Sequence, residues 1–598
     1  MTAPSPARQT GLPLTWTLTA DGTVIDTDRL VSIETWWQAN RVPRARIVLY
    51  DGEADTGAFP FSSGSTFVPG AKITIAAGYG SSTATIHSGV IIRHAVRIMA
   101  DTPAQLVIET ADPLLKMTLA RHSAVTQQAT DAALISALVE ANAGTMGKNA
   151  ASTTQVEAIV QGYASDWDLM LLRAEASGCL VVVDDTKVDV ISPSDGGTPV
   201  LSLGYGDSII SFDATIDAST QLGSGAVSSQ AWSYADQSVT KAAASSTSIG
   251  VPGNLSAAAL AEVMDVSPYV QQTAAAQLEA SLTSWSSAAL MRAQLGQVVG
   301  TVKVQGSALA KPGTQVTLAG LGDRFNGDAF VSGVRHQLRD GDWHSVIEIG
   351  MSPERFASRD PNIADAPAGG LSAPIRGLQT GQVKQVAQDP NGDFRVLVTL
   401  PLIDGENGIW ARLAQPYASS GFGWSFFPEV GDEVVLGFMN EDPASAVVLA
   451  SVYSNQRAPT YTPNTANDVK ALVTRSKMEV NFNDKDVILK ISTPGGRYVT
   501  LDDKTGTVTV ADPNGNKLVM TSDKVDLISA AALNIKSTGN MTIDSGGNLT
   551  VSAAVKCDTS APEVTVTGTS NLALASNAMA SLKAAAVLEI NGALVKIN

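Results

Sequence analysis

The chain has 598 residues, enough for about four domains of ordinary size. Acids outnumber bases 57 to 40, and the formal net charge of −17 argues against gripping nucleic-acid phosphates or anionic membrane surfaces. Only 16% of residues are charged and 5% aromatic, while glycine contributes 51, the balance expected of β structure built from small side chains.

The opening residues carry no basic stretch followed by an apolar one, so a secretory leader is not expected. No apolar run approaches the length of a spanning helix, so stable membrane insertion is not expected and synthesis is placed in the cytoplasm. Residues 14–18, 46–49, 72–77 and 105–109 alternate apolar and polar and predict strands. Residues 130–141 predict a helix with Asp131 as N-cap, and a second helix follows Ser165 and ends at Gly178. Residues 180–183 predict a buried strand, 219–258 a mobile Ser/Ala/Gly-rich loop, and 270–293 an Ala-rich helix before strands resume at 298–304. Cys179 and Cys557 are too few for a disulfide scaffold and read as small buried hydrophobes.

A Pro/Gly/Ala linker near 365–374 closes this first part, 1–365. Residues 376–455 then offer five short strands, at 380–386, 395–399, 410–413, 433–438 and 446–449, which suit a small closed barrel of the OB type. Trp410 and Phe427 are candidates to fill it, and Asp432-Glu433 to turn into a strand. Residues 456–468 form a second linker.

The stretch 469–598 contains an eight-residue beat. Val525-x-Leu527, Leu533-x-Ile535, Met541-x-Ile543 and Leu549-x-Val551 recur at a fixed interval, and after a one-residue slip around Cys557 the beat resumes at Val564-x-Val566. Each pair places two apolar side chains on one face of a short strand, and the rest of each octad is turn chemistry such as Ser545-Gly546-Gly547-Asn548. One strand and one corner cannot enclose a core. Three chains supplying one side each can, as a triangular prism with Leu527, Ile535, Ile543 and Val551 at its centre. Leu594, Val595, Ile597 and Asn598 continue the β pattern and would present a docking surface at the end of such a prism.

Gly377-Leu378-Gln379-Thr380-Gly381, Asp389-Pro390, Trp410-Ala411-Arg412 and Phe427-Pro428-Glu429-Val430-Gly431-Asp432-Glu433-Val434 resemble, in order, the OB barrel of the VgrG family. Pro312-Gly313, Phe325-Asn326-Gly327 and Gly333-Val334-Arg335-His336 resemble the end of that family's hub domain. Asp51-Gly52, Pro69-Gly70 and Ser165-Asp166-Trp167-Asp168 look closest to spikes of extracellular, phage-tail-like contractile injection systems. The resemblance implies a mainly β chain with some α: a hub of two barrel-like units, roughly 10–110 and parts of 180–350, an OB barrel and an intertwined trimeric β-helix. It further implies a homotrimeric central spike whose partners are an inner tube protein, baseplate proteins, a PAAR-type tip protein and effector cargo, working in a particle released from the cell.

Enzyme readings are weaker. Asp526, Asp544 and Glu589 are scattered between octads rather than paired as in glycan-cleaving β-helices, so no catalytic residue is assigned. Of the five histidines, only His336 and His344 could meet across a hairpin, and they lack a third ligand, so neither metal nor cofactor is expected. A type VI secretion spike is the alternative within the family. A secreted β-helical enzyme or tail fibre is the alternative outside it.

Overall fold

The computed structural model describes residues 3–597 apart from 7–10, 27, 196, 224, 246–248 and 361–362. Contacts divide the chain into two compact units, Met1–Val452 and Tyr453–Asn598.

Within the first unit, six strands (Leu14–Ala20, Leu30–Gln38, Arg44–Tyr50, Lys72–Tyr79, Ser82–Met99 and Thr102–Ala111) pair edge to edge. Their alternation sends Leu18, Ile33, Ile47, Ile73, Ile75, Leu106 and Ile108 into one core, which means that this part of the sheet curls around its own apolar face. Each such side chain contributes about 1.5–3 kcal/mol on burial. A second core gathers Leu203, Val302, Val304, Val316, Val331, Val334 and Ile347 from strands between Leu201 and Ile349. These are the two β units expected from the sequence, but neither closes by itself. One 13-stranded sheet serves both.

The joint is the strand Gly327–Arg339. It pairs with Gln315–Ala319 and Asp342–Ile349 on the second side and with Leu30–Gln38 on the first, where Val334 faces Trp37 and His336 faces Thr35. Its Val331 and Val334 enter the second core and its Leu338 enters the first, so one strand ties the two together.

An inserted α/β lobe follows the first β unit. Helices Asp131–Ala141 and Asp166–Ala176 cover the strands Thr145–Asn149, Leu180–Asp184 and Lys187–Ile191, and Ile135, Val139, Met170, Val181 and Val188 form its core. The first helix is capped by Thr130, not Asp131: Thr130 Oγ1 accepts from Ala133 N, while Asp131 accepts from Arg173 Nε at 2.6 Å. The second helix follows Ser165 as expected, with Ser165 as its cap, and Gly178 ends it at φ +72°, where a side chain would be strained. The lobe is anchored to the first β unit through Trp37, whose indole donates to Val183 O at 2.7 Å.

The expected mobile loop at 219–258 instead contains two paired strands. Val227–Ser233 and Ser238–Ala243 form a hairpin, Tyr269–Thr273 adds a parallel strand, and the three pack on the helix Glu279–Leu295. Serine and alanine serve here as close-packing residues, since Ser286 Oγ donates to Ser229 Oγ at 2.7 Å in a buried contact. The Ala-rich helix also begins later than 270, because residues 269–273 have joined that sheet. Residues 224 and 246–248 of the stretch lie outside the described residues.

The OB barrel forms as read. Gln379–Gln385, Val396–Leu400, Asp404–Leu413, Glu433–Phe438 and Ala446–Ser451 close into a barrel. Its core is aliphatic, made of Val383, Val396, Val398, Leu400, Val434, Leu436 and Val448. Trp410 and Phe427 do not fill it. Ala411 takes the inward position next to Trp410, and Phe427 is exposed. Asp432 does set the turn into the fourth strand, accepting from Glu429 N at 2.8 Å.

The second unit departs from the expected octad β-helix over its first half. Residues 469–528 form a seven-stranded antiparallel meander running from Val469–Val473 to Val525–Ile528, with each strand paired to the next. Hairpin turns such as Asp502–Thr507 recur at longer intervals than eight, which is why this stretch lacks the octad beat. Beyond 528 no hydrogen-bonded strand occurs among the described residues. The chain bends at 530–531, 538–539, 546–547 and 554–555, then at 562, 569–570, 577–578, 585–586 and 593. The eight-residue beat is therefore a geometric repeat, and its one shortened interval falls beside Cys557, where the sequence slips.

Candidate interaction surfaces

The apolar octad side chains have nothing to cover them within one chain. Leu527 is 57% exposed, Ile535 67%, Ile543 71% and Val551 74%. On the meander face, Tyr498, Val499, Val510, Leu518, Leu527 and Leu533 line an open groove of about 650 Å³. A continuous apolar ladder of this length is unusual on an unpartnered protein surface and marks an interaction site. The proposed end residues Leu594, Val595 and Ile597 are exposed as well, and Asn598 lies outside the described residues.

A further surface on the barrel is aromatic, and of its residues only Phe427 figures in the expectation from sequence, as barrel filling. Tyr417, Phe422, Trp424, Phe426 and Phe427 all project from one loop of the barrel and are all exposed. The loop is held by its own small hairpin, with Trp424 N donating to Tyr417 O at 2.8 Å and Ser419 N to Phe422 O at 3.1 Å. The signal was present in the sequence as five aromatics within eleven residues.

The barrel's opposite character is ionic. Asp389 accepts from Arg395 Nη2 at 2.7 Å and Nε at 3.1 Å, and also from the backbone of Asn391, Asp393 and Arg395. Above all the Arg395 hydrogen bond holds its carboxyl well below the usual range. This closes the loop between two barrel strands and engages Asp389 in structure.

The histidines do not converge. His336 pairs across its hairpin with Ser345, and His344 with Gln337, one register step away, so the two side chains take opposite faces. No cluster of three or more metal-ligating side chains occurs among the described residues. Asp526 is ion-paired with Lys524 at 2.9 Å, which suits a solvated face and not a general acid. Cys179 is buried as expected, whereas Cys557 is exposed in the single chain. No helix among the described residues is long and apolar enough to cross a membrane.

Residues 11–340 match the Alg8 N-terminal domain family, a span of more than half the chain. The chain belongs to this family. Further along the chain, residues 379–453 match the type VI secretion system/phage-baseplate injector OB domain, the span of the closed barrel. The barrel is thus similar to the OB domain of such injectors. It is 28% identical over 79 residues to the actin cross-linking toxin VgrG1 of Vibrio cholerae serotype O1, which is 13% of this chain and 7% of that protein. Among solved structures, the prophage MuSo2 43 kDa tail protein of Shewanella oneidensis aligns with 57% of this chain and 98% of its own, at 11% identity and a TM-score of 0.42. The E. coli c3393 protein, a type VI secretion component, aligns with 73% of this chain and 99% of its own, at 13% identity and a TM-score of 0.34.

Proposed function

We propose that the chain is a non-enzymatic, homotrimeric puncturing spike at the baseplate of a phage-tail-like extracellular contractile injection system. The observation that carries this reading is the uncovered octad ladder, bending every eight residues, in a chain that also holds an injector OB domain. Three copies would bury Leu527, Ile535, Ile543 and Val551 along a common axis, with the aromatic barrel loop meeting a neighbouring copy. The N-terminal β units would seat the trimer on an inner tube and adjoining baseplate proteins, and sheath contraction would drive the shaft through a target envelope. The chain would be made in the cytoplasm and act in a released particle.

An epitope inserted in the exposed Asp503–Gly506 turn locates the protein. Gold-labelled antibody should decorate one end of contractile particles recovered from culture medium. Label confined to structures in the producing cell's envelope would select the type VI alternative, and label on no contractile particle would sink the spike reading.

The end of the shaft is proposed to hold a tip protein of the PAAR type through Leu594, Val595 and Ile597, with effector cargo carried beside it. Truncating 588–598 should abolish capture of the tip protein in pull-downs while the trimer persists. Capture by the truncated trimer would contradict this docking site.

A further inference from the structure

The N-terminal unit contains a cleft of about 630 Å³ whose charge is opposite to that of the chain as a whole. That volume lies within the range of ligand-binding clefts. Arg41, Arg44, Arg121 and Arg359 line it against only two carboxylates, Asp168 and Asp360. Arg121 lies 3.8 Å from Asp365, but Arg41, Arg44 and Arg359 make no ion pair among the described residues and reach solvent at the rim. The floor is apolar and aromatic. Trp36, the cross-strand neighbour of Arg44, lies beside the buried Trp167 and the half-buried Phe356.

We propose that this cleft binds a short acidic peptide segment of a partner protein, with carboxylates paired to Arg41, Arg44 and Arg359 and an apolar side chain set against Trp36 and Phe356. Guanidinium forks match carboxylates in planar pairs, and their stems and the indole ring accept apolar side chains. A densely charged phosphate fits less well. The N-terminus of the Asp166–Ala176 helix beside the cleft, an ordinary phosphate seat, is already capped by Ser165, and Asp168 in its first turn accepts from the Ser165 hydroxyl at 2.7 Å. Spaced carboxylates can avoid Asp168 and Asp360 where a compact polyanion cannot.

The test uses the full-length protein and a fluorescein-labelled alternating Glu-Leu hexapeptide, read by anisotropy, with an alternating Lys-Leu hexapeptide and inorganic pyrophosphate as comparators. Saturable, salt-sensitive binding of the Glu-Leu peptide is expected. Arg41→Ala combined with Arg359→Ala should weaken it about tenfold, as should Trp36→Leu, with circular dichroism and solution mass unchanged. The proposal is overturned if the Glu-Leu peptide does not bind, if the Lys-Leu peptide binds equally well, if pyrophosphate displaces the peptide as the preferred ligand, or if the folded arginine variant binds as the parent does.

Discussion

Aspartate in place of Ile535 or Ile543 is expected to abolish the trimer while leaving residues 1–452 folded. In one chain these side chains are 67% and 71% exposed, so a monomer would tolerate the change almost without cost. In a three-stranded prism each substitution sets three carboxylates together near the axis with no cation to meet them. Each buried, unpaired charge costs several kcal/mol, and each lost isoleucine forfeits about 1.5–3 kcal/mol of burial. Thr542→Asp provides the control, because the residue between the two apolar positions of an octad faces outward. Trp424→Ala with Phe426→Ala should loosen the assembly to a lesser degree, since the octads still close. Light scattering reads all of these variants. A trimer that survives aspartate at Ile543 would show that the ladder is not the assembly core.

Acid is expected to unfold the N-terminal unit well before it protonates most carboxylates. His87 and His336 are buried and hydrogen-bonded to Thr110 Oγ1 at 2.7 Å and Ser345 Oγ at 2.9 Å. Burial pushes His87 down to about 4, slightly opposed by Asp185, and His336 down to about 3. The unfolded chain takes up these protons near 6.5, whereas the folded chain does not, so the unfolded state binds more protons at intermediate pH. Their contribution is therefore complete above pH 6.5 and declines as pH falls toward 4 and 3. Together they remove about 4 kcal/mol by pH 5. Asp112 and Asp168, whose carboxyls are raised chiefly by burial, act in the opposite sense. Denaturant midpoints followed by tryptophan fluorescence should drop from pH 7.5 to pH 5, and His336→Gln should reduce that drop by about half. Equal midpoints at the two pH values would contradict the assignment. The location matters because His336 sits on the strand that joins the two β cores.

Local pattern was legible where one chain supplies both sides of a contact. The barrel strands, the helix after Ser165 and the strands around Ile47 and Ile73 were readable because alternation and capping are short-range signals. The joint strand Gly327–Arg339 was not, because nothing local reveals that Val334 must face Trp37, nearly three hundred residues earlier. The Ser/Ala-rich stretch at 219–258 read as loop because small residues lack amphipathic contrast, yet they let the sheet lie close on the Glu279–Leu295 helix. The aromatic barrel loop was not legible as a unit, and its Phe427 alone was placed, in the barrel interior. Large rings suggest a core, but the barrel interior was already filled by valine and leucine. The arginine cleft draws its charges from positions 41, 44, 121 and 359, which only the fold brings together.

The central claim is that the octad ladder exists to be covered by two further copies of itself. Multi-angle light scattering of the purified full-length protein at micromolar concentration tests it most directly. The expected mass is three times that of one chain, unchanged on dilution, because a ladder this long leaves no stable uncovered form. A soluble, folded monomer at the same concentration would contradict it.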